Sequence, residues 1–293
     1  MITKKNNTRA FALKILYKIL YKNIFFSQAL ILYQKEFDEF SDNDKKYIYQ
    51  LIITVLRRLG FIDKIIDIYL EKKIKNPEIK IILEIGVAQI IYLRTPSYAA
   101  VNQTVDIIKP KFKSFRPLVN AILRKVSDRK EKHQSITSCP DNMLPTWILK
   151  RWQKNYGKKE TKLIIESLLN DHYLDISINS IDKKIFDEFD KINLPNGSLR
   201  LKKYKKIPSL PMFNDGKWWI QDAAASIPAN LLINKLNNFP GKKLVVDACA
   251  APGGKSIQLL SSGLNVISID YDKARTKTMK ENFKRMNLDY NIV

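Results

Sequence analysis

Between Lys243 and Ser256 the chain reads KLVVDACAAPGGKS, and this stretch constrains the fold more than any other. Leu244, Val245 and Val246 form an apolar run that is rich in β-branched residues and too short for a helix; Asp247 closes it. A turn of small residues follows, Ala248-Cys249-Ala250-Ala251-Pro252-Gly253-Gly254. From Lys255 onward the apolar positions Ile257, Leu259 and Leu260 predict a helix. Strand, small-residue turn and helix open a βαβ unit of the nucleotide-binding kind. Glycines in such a turn let a ligand approach the backbone, and the free N–H groups of the helix start face a negative group.

The pattern then repeats. Leu264 to Ile269 is a second apolar run ending at Asp270, 23 positions after Asp247. That is close to the offset of roughly 20 residues at which a carboxylate meets a cofactor ribose. The dinucleotide fingerprint G-x-G-x-x-G is absent, and Gly254-Lys255-Ser256 supplies only the tail of a Walker A loop, whose leading glycine position is Cys249. A cofactor with ribose hydroxyls and no phosphate fits better, S-adenosylmethionine being the obvious one. The competing reading is an ordinary tight βα turn.

DACAAPGGKS resembles the cofactor loop of the RNA cytosine 5-methyltransferases of the Sun/Fmu (RsmB) type, which act on small-subunit ribosomal RNA. Upstream, Trp219 to Ser226 (WIQDAAAS) resembles the segment that opens the helix before the first strand in that family. The resemblance implies a Rossmann-like methyltransferase core. It also implies that Cys249, Ala250, Ala251, Pro252, Gly253, Gly254 and Lys255 line S-adenosylmethionine, while Asp270 holds its ribose.

The balance of 51 basic against 29 acidic residues, a net charge of +22, points to a polyanionic partner. Lysine greatly outnumbers arginine and both Ile and Asn are abundant, so a compositional habit of the source genome is the competing reading, and a nucleic-acid partner is favoured over it. Charge does not separate RNA from DNA. No run of 18 apolar residues suggests a membrane span, and Lys14 and Lys18 interrupt what would be the apolar core of a signal peptide. Two cysteines, Cys139 and Cys249, leave no disulfide framework and no zinc or other metal site, and a reducing cytoplasm is the expected compartment.

Residues 1–128 read as an all-helical bundle. Phe11, Ile15, Leu16, Ile19 and Leu20 make one apolar stripe, and Ser41 to Asp44 is a capping box by pattern. Gly60 interrupts the next helix, and Asn76-Pro77 opens another that runs to Leu93. Arg94 to Asn102 and Leu118 to Arg124 resemble parts of the NusB-like RNA-binding domain that precedes this methyltransferase type. Lys109, Lys111, Lys113, Arg116, Arg124 and Lys125 are candidates to face RNA; for any single one a solvated helix face is favoured. Ser127 to Asn142 reads as a polar linker in which His133 is exposed and Cys139 is a bystander.

Residues 143–215 read as a small α/β intermediate domain, and 216–293 as the N-terminal, incomplete part of the methyltransferase domain. Leu144 to Tyr156 opens the intermediate domain as a helix in which Trp147 and Trp152 interleave with Lys150, Arg151 and Lys154. Aromatics beside cations can stack on bases, although tryptophans at helical spacing are more often core. A second helix over Thr161 to Asn170, a strand over Asp175 to Asn179, a helix over Asp182 to Ile192 and a strand over Leu199 to Lys206 complete the domain. His172 has no partner acid in view and is read as structural. Farther on, Ser226 to Leu236 and Ala274 to Met286 are helices, and Asp289 to Val293 starts a third strand.

Carbon 5 of cytosine is a poor nucleophile, and enzymes of the resembled family activate it by adding a cysteine thiolate to carbon 6. The resemblance places that cysteine on loops beyond Val293. It therefore implies a chain that lacks the catalytic half, has no catalytic residue of its own and is inactive alone; a split gene, whose separate C-terminal fragment would complete the domain, a frameshifted copy and a truncated record are the open alternatives. The rival readings are a non-catalytic RNA-binding protein of NusB-like type and a methyltransferase acting on another target such as protein.

Overall fold

The computed structural model describes residues 7–93, 95–170, 173–178, 183–204 and 207–293. Arg94, His172, Asn179, Asp182 and Lys206, which figure in the expectations above, lie outside them. Two compact units divide the chain, Met1–Asn170 and Asp171–Val293.

In the first unit α1 (Thr8–Lys22), α2 (Phe26–Leu32), α3 (Gln34–Asp38), α4 (Asp42–Arg57), α5 (Leu59–Asp67), α6 (Pro77–Ile91), α7 (Ser97–Asp106) and α8 (Arg116–Asp128) share one apolar core. The caps are those that the sequence predicts. Ser41 Oγ accepts from Asp44 N at 3.2 Å, and Asn76 Oδ1 accepts from Ile79 N at 3.2 Å ahead of Pro77. Helix α6 is buried on every side from Ile79 to Ile90 apart from the partly covered Lys80, so it is the central helix of the bundle rather than an amphipathic surface helix.

Gly60 lies inside the first turn of α5 instead of interrupting it. A Cβ there would stand 2.2 Å from the Met143 carbonyl oxygen, so close backbone approach explains the glycine. The segment expected to be a linker is folded into short helical turns at Lys130–His133, α9 (Gln134–Thr137) and Pro140–Asn142. His133 is 2% exposed, against the expectation: its Nε2 lies 3.2 Å from Tyr69 Oη, and the two rings meet edge to face. Helix α10 (Thr146–Leu169) contains Gly157 at φ 79°, ψ 165°, which breaks it into the two helices the sequence predicts.

In the second unit β1 (Leu174–Ile178), β2 (Lys191–Asn193), β3 (Leu199–Leu201) and β4 (Trp218–Ile220) form an antiparallel sheet in the order β2-β3-β1-β4. The helix expected over 182–192 is replaced, among the described residues, by one 3-10 turn (Lys183–Phe186) and β2. Phe186 anchors the turn beneath Trp218, and Ile192 is claimed by pairing with Arg200, so the apolar spacing serves two short elements. Strand β4, read with the methyltransferase segment, pairs with β1, and α10, read with the intermediate domain, belongs to the first unit.

The rest of the second unit is α/β. Helix α11 (Ala223–Asn237) starts on Asp222, whose carboxylate accepts from Ala224 N and Ala225 N at 2.8 and 3.2 Å. Then come β5 (Leu244–Asp247), α12 (Gly254–Ser261), β6 (Asn265–Ser268), α13 (Lys273–Arg285) and β7 (Asn291–Ile292), with parallel strands in the order β5-β6-β7. Val245 and Val266 point into a core with Ala229 of α11 and Leu259 of α12. On alternate positions of β5, Leu244 and Val246 remain 65% and 54% exposed.

Candidate functional site

The stretch from Asp247 to Gly253 crosses from the end of β5 to the start of α12, beside Asp270 at the end of β6. Three polar side chains tie these ends together. Ser256 Oγ donates to Asp247 Oδ2 at 2.7 Å, and Ser268 Oγ donates to Ser256 Oγ at 3.0 Å. The backbone adds Ile269 N to Asp247 O at 2.8 Å and Ala250 N to Ile269 O at 3.0 Å. Ser256 and Ser268 are buried, so each hydroxyl needs the partner it has.

The structure brings all eight residues of the sequence-derived site into this one corner. Ala250 and Ala251 are buried and floor the loop; Cys249, Pro252 and Lys255 are exposed on it; Ala251-Pro252 is a cis peptide. Gly253, at φ 106°, caps α12. A Cβ there would fall 3.0 Å from Met279 Cγ and 3.1 Å from Phe283 Cε1, so conformation and packing both demand glycine. A Cβ on Gly254 would meet nothing nearer than 3.7 Å.

Asp270 Oδ2 accepts from Ala251 N and Oδ1 from Asp272 N, both at 3.0 Å, with Arg275 Nη1 3.8 Å from Oδ2. The Asp272 N–H chiefly, then the Ala251 N–H and the Arg275 charge, hold this carboxyl below the usual carboxylate range, although burial opposes them. A carboxylate offers about four lone-pair sites. Two are used here by the chain, and the side chain is 3% exposed.

The sequence shows α13 as a helix but not its support of the loop. Arg275 donates to the Ala251 carbonyl and Asn282 Nδ2 to the Pro252 carbonyl at 3.0 Å, while Met279 and Phe283 pack beneath Gly253. Positions 275, 279, 282 and 283 share one helical face, and the spacing of Met279 and Phe283 was the available signal. Gln221 was also missed as a junction. Its Oε1 accepts from Trp219 Nε1 at 2.8 Å and Ser177 Oγ at 3.1 Å, and its Nε2 donates to Gln258 Oε1 at 2.8 Å.

The cations proposed to face RNA divide. Lys109 pairs with Glu78 at 2.7 Å, Arg116 donates to the Ile108 carbonyl at 3.3 Å, and Lys111 lies 4.6 Å from the Phe112 ring centre. Lys113, Arg124 and Lys125 are exposed. Among the described residues no helix is long and apolar enough to cross a membrane, and no group of three or more His, Cys, Asp or Glu is placed to hold a metal ion.

Comparison with known proteins finds two family matches: the NusB family over residues 6–128, and 16S rRNA methyltransferase RsmB/F over residues 234–293, which include the whole loop and Asp270. Ribosomal RNA small subunit methyltransferase B of Shewanella oneidensis is 29% identical, the alignment covering 98% of this chain and 68% of that protein. The protein of the same name from Proteus mirabilis is 28% identical, with 96% and 69% covered. Among solved structures, PH0851 superposes with a TM-score of 0.63 at 18% identity, covering 100% of this chain and 70% of its own, which is a likeness of fold.

Proposed function

We propose, for a chain that joins a NusB-family region to a 16S rRNA methyltransferase RsmB/F region, that it serves S-adenosylmethionine-dependent methylation of carbon 5 of a cytosine in small-subunit ribosomal RNA. The supporting observation is the corner formed by Asp247, the Cys249–Lys255 loop and Asp270 at the C-terminal ends of parallel strands, where open α/β sheets take their ligands. The curated relatives aligned along nearly the whole chain are named for methylation of ribosomal RNA. Such a substrate sets the work in the cytoplasm.

The donor set suits this cofactor. Asp270 has lone pairs left for two ribose hydroxyls, and no phosphate cradle competes. When bound, S-adenosylmethionine supplies an electrophilic methyl group. The chain's own residues hold and orient it: backbone and side chains of Cys249, Ala250, Ala251, Pro252, Gly253, Gly254 and Lys255 form the wall, and α13 keeps that wall in place through Arg275 and Asn282.

The base needs a thiolate at carbon 6 before carbon 5 can accept the methyl group. Cys139 and Cys249 are both exposed, one beside the Pro140–Asn142 turn and the other on the cofactor loop, and the role is assigned to neither.

The test combines calorimetry of S-adenosylmethionine binding with a tritiated-methyl assay on unmodified ribosomal RNA. Asp270→Ala should weaken cofactor binding by about tenfold or more, because a charged acceptor of two hydroxyls is lost. Equal affinity for variant and parent would overturn the ribose assignment. Turnover by the 293-residue chain that is lost in Cys139→Ala or in Cys249→Ala would overturn the assignment of the thiolate to neither cysteine.

A further inference from the structure

The first half of α10 presents a face that nothing described so far uses. Trp147 is 67% exposed, an unusual state for a side chain whose burial ordinarily contributes more than most. Lys150, Arg151 and Lys154, three, four and seven positions later, lie on the same side of the helix and are exposed. None of the three has an ion-pair or hydrogen-bond partner among the described residues. From Asn142 to Lys159 there is no acidic residue, while Lys158 and Lys159 add further positive charge just past the Gly157 break. The opposite side is committed to the fold: Ile148, Leu149 and Trp152 are half-buried, and Gln153 Nε2 donates to Asp141 Oδ2 at 3.4 Å.

The geometry points to this face as a docking surface for single-stranded RNA, with Trp147 stacking on one base and Lys150, Arg151 and Lys154 on the flanking phosphates. An aromatic platform beside a short row of cations is what sequence-tolerant binding of an unpaired strand requires. The seven helical steps from Trp147 to Lys154 rise about 10 Å, a length suited to a few nucleotides. A duplex would leave Trp147 idle, since its bases are already stacked on one another. A membrane surface would need a continuous apolar face, and here a single aromatic side chain stands among cations. An acidic peptide would use the cations and leave the indole without a planar partner.

This inference rests on the RNA-substrate reading and adds to it a surface in the first unit, remote in sequence from the cofactor loop. The experiment uses the full 293-residue chain and a short unstructured oligoribonucleotide, with affinity followed by anisotropy over a range of salt. Trp147→Ala should weaken binding by between about fivefold and a hundredfold, the range that loss of one stacked base produces, and Trp147→Phe should retain most of it. The triple variant Lys150→Gln, Arg151→Gln, Lys154→Gln should flatten the salt dependence by about 2 in slope, since each single-strand phosphate contact contributes about 0.7. Indole emission should be quenched by RNA in the parent and much less in Trp147→Phe, because Trp218 and Trp219 are buried and Trp152 is partly so. All of these side chains are exposed, so unchanged circular dichroism and unfolding midpoints are expected in each variant.

If the parent binds the oligoribonucleotide in a salt-sensitive way and all variants bind equally well, this face is overturned and the RNA reading stands. If binding falls in the triple variant but ignores Trp147, the face is a general polyanion surface and the stacking proposal is overturned. If the parent binds no RNA, both fall together.

Discussion

Ser256, in the first turn of α12, holds the Asp247 carboxylate at 2.7 Å and is itself held by Ser268 at 3.0 Å, so one hydroxyl joins two strand ends to a helix start. Ser256→Ala removes both contacts at a site with no solvent access. The expected loss is about 1–3 kcal/mol of stability, the cost of buried polar groups left unpaired, read as a lower denaturant midpoint with unchanged slope.

Adjacent glycines should respond in opposite ways. Gly253→Ala forces a side chain into φ 106° and against Met279 and Phe283, and should cost about 2 kcal/mol or more in thermal unfolding. Gly254→Ala has room in the fold and should unfold like the parent. Its effect should appear in calorimetry alone, as weaker binding of S-adenosylmethionine.

Glu84 gives the bundle a pH dependence of its own. Burial first, and then the charge of Asp63, push its carboxyl up to about 8, against the pull of Lys80, whose ammonium lies 3.5 Å from Glu84 and 3.0 Å from Asp63. The folded-state value exceeds the unfolded one, so the unfolded chain gives up this proton first as pH rises. Stability from this group is therefore greatest below about pH 4.5, declines between about 4.5 and 8, and is level above that. Glu84→Gln should remove the decline and stabilise the chain at pH 8 by at most about 5 kcal/mol. Urea titrations of parent and variant across that range would measure it; parallel curves would refute it.

Arg200 meets the buried Asp175 carboxylate through Nε and Nη2, both at 2.7 Å, and the same carboxylate accepts from Ala223 N at 3.1 Å. Arg200→Ala should cost about 3 kcal/mol in denaturant unfolding because a buried charge is left without its partner. Arg200→Lys should recover only part of that, since a single ammonium cannot reproduce the fork.

Much of this was legible in the residues, for local reasons. The apolar run, the small-residue turn and the spacing from Asp247 to Asp270 all lie within one βα repeat, and the caps at Ser41 and Asn76 act over three positions. What escaped depends on partners far along the chain. His133 carries no mark of burial until Tyr69, 64 positions earlier, is placed against it. The short elements of 183–193 look helical by spacing, and only pairing with β3 shows otherwise. Trp147 and Trp152 read alike, yet one is half-covered and the other stands out in solvent. The hold of α13 on the loop needed Met279, Asn282 and Phe283 in three dimensions.

The packing of residues 130–143 bears on how this protein can be taken apart. A fragment cut at 128, where the NusB match ends, would strip His133 from Tyr69, Ile136 from the bundle core and Met143 from Gly60. Protease nicking should accordingly spare the polar run from Ser127 to Asn142 that looks most like a tether. A piece meant to keep the first unit intact should run through Asn170.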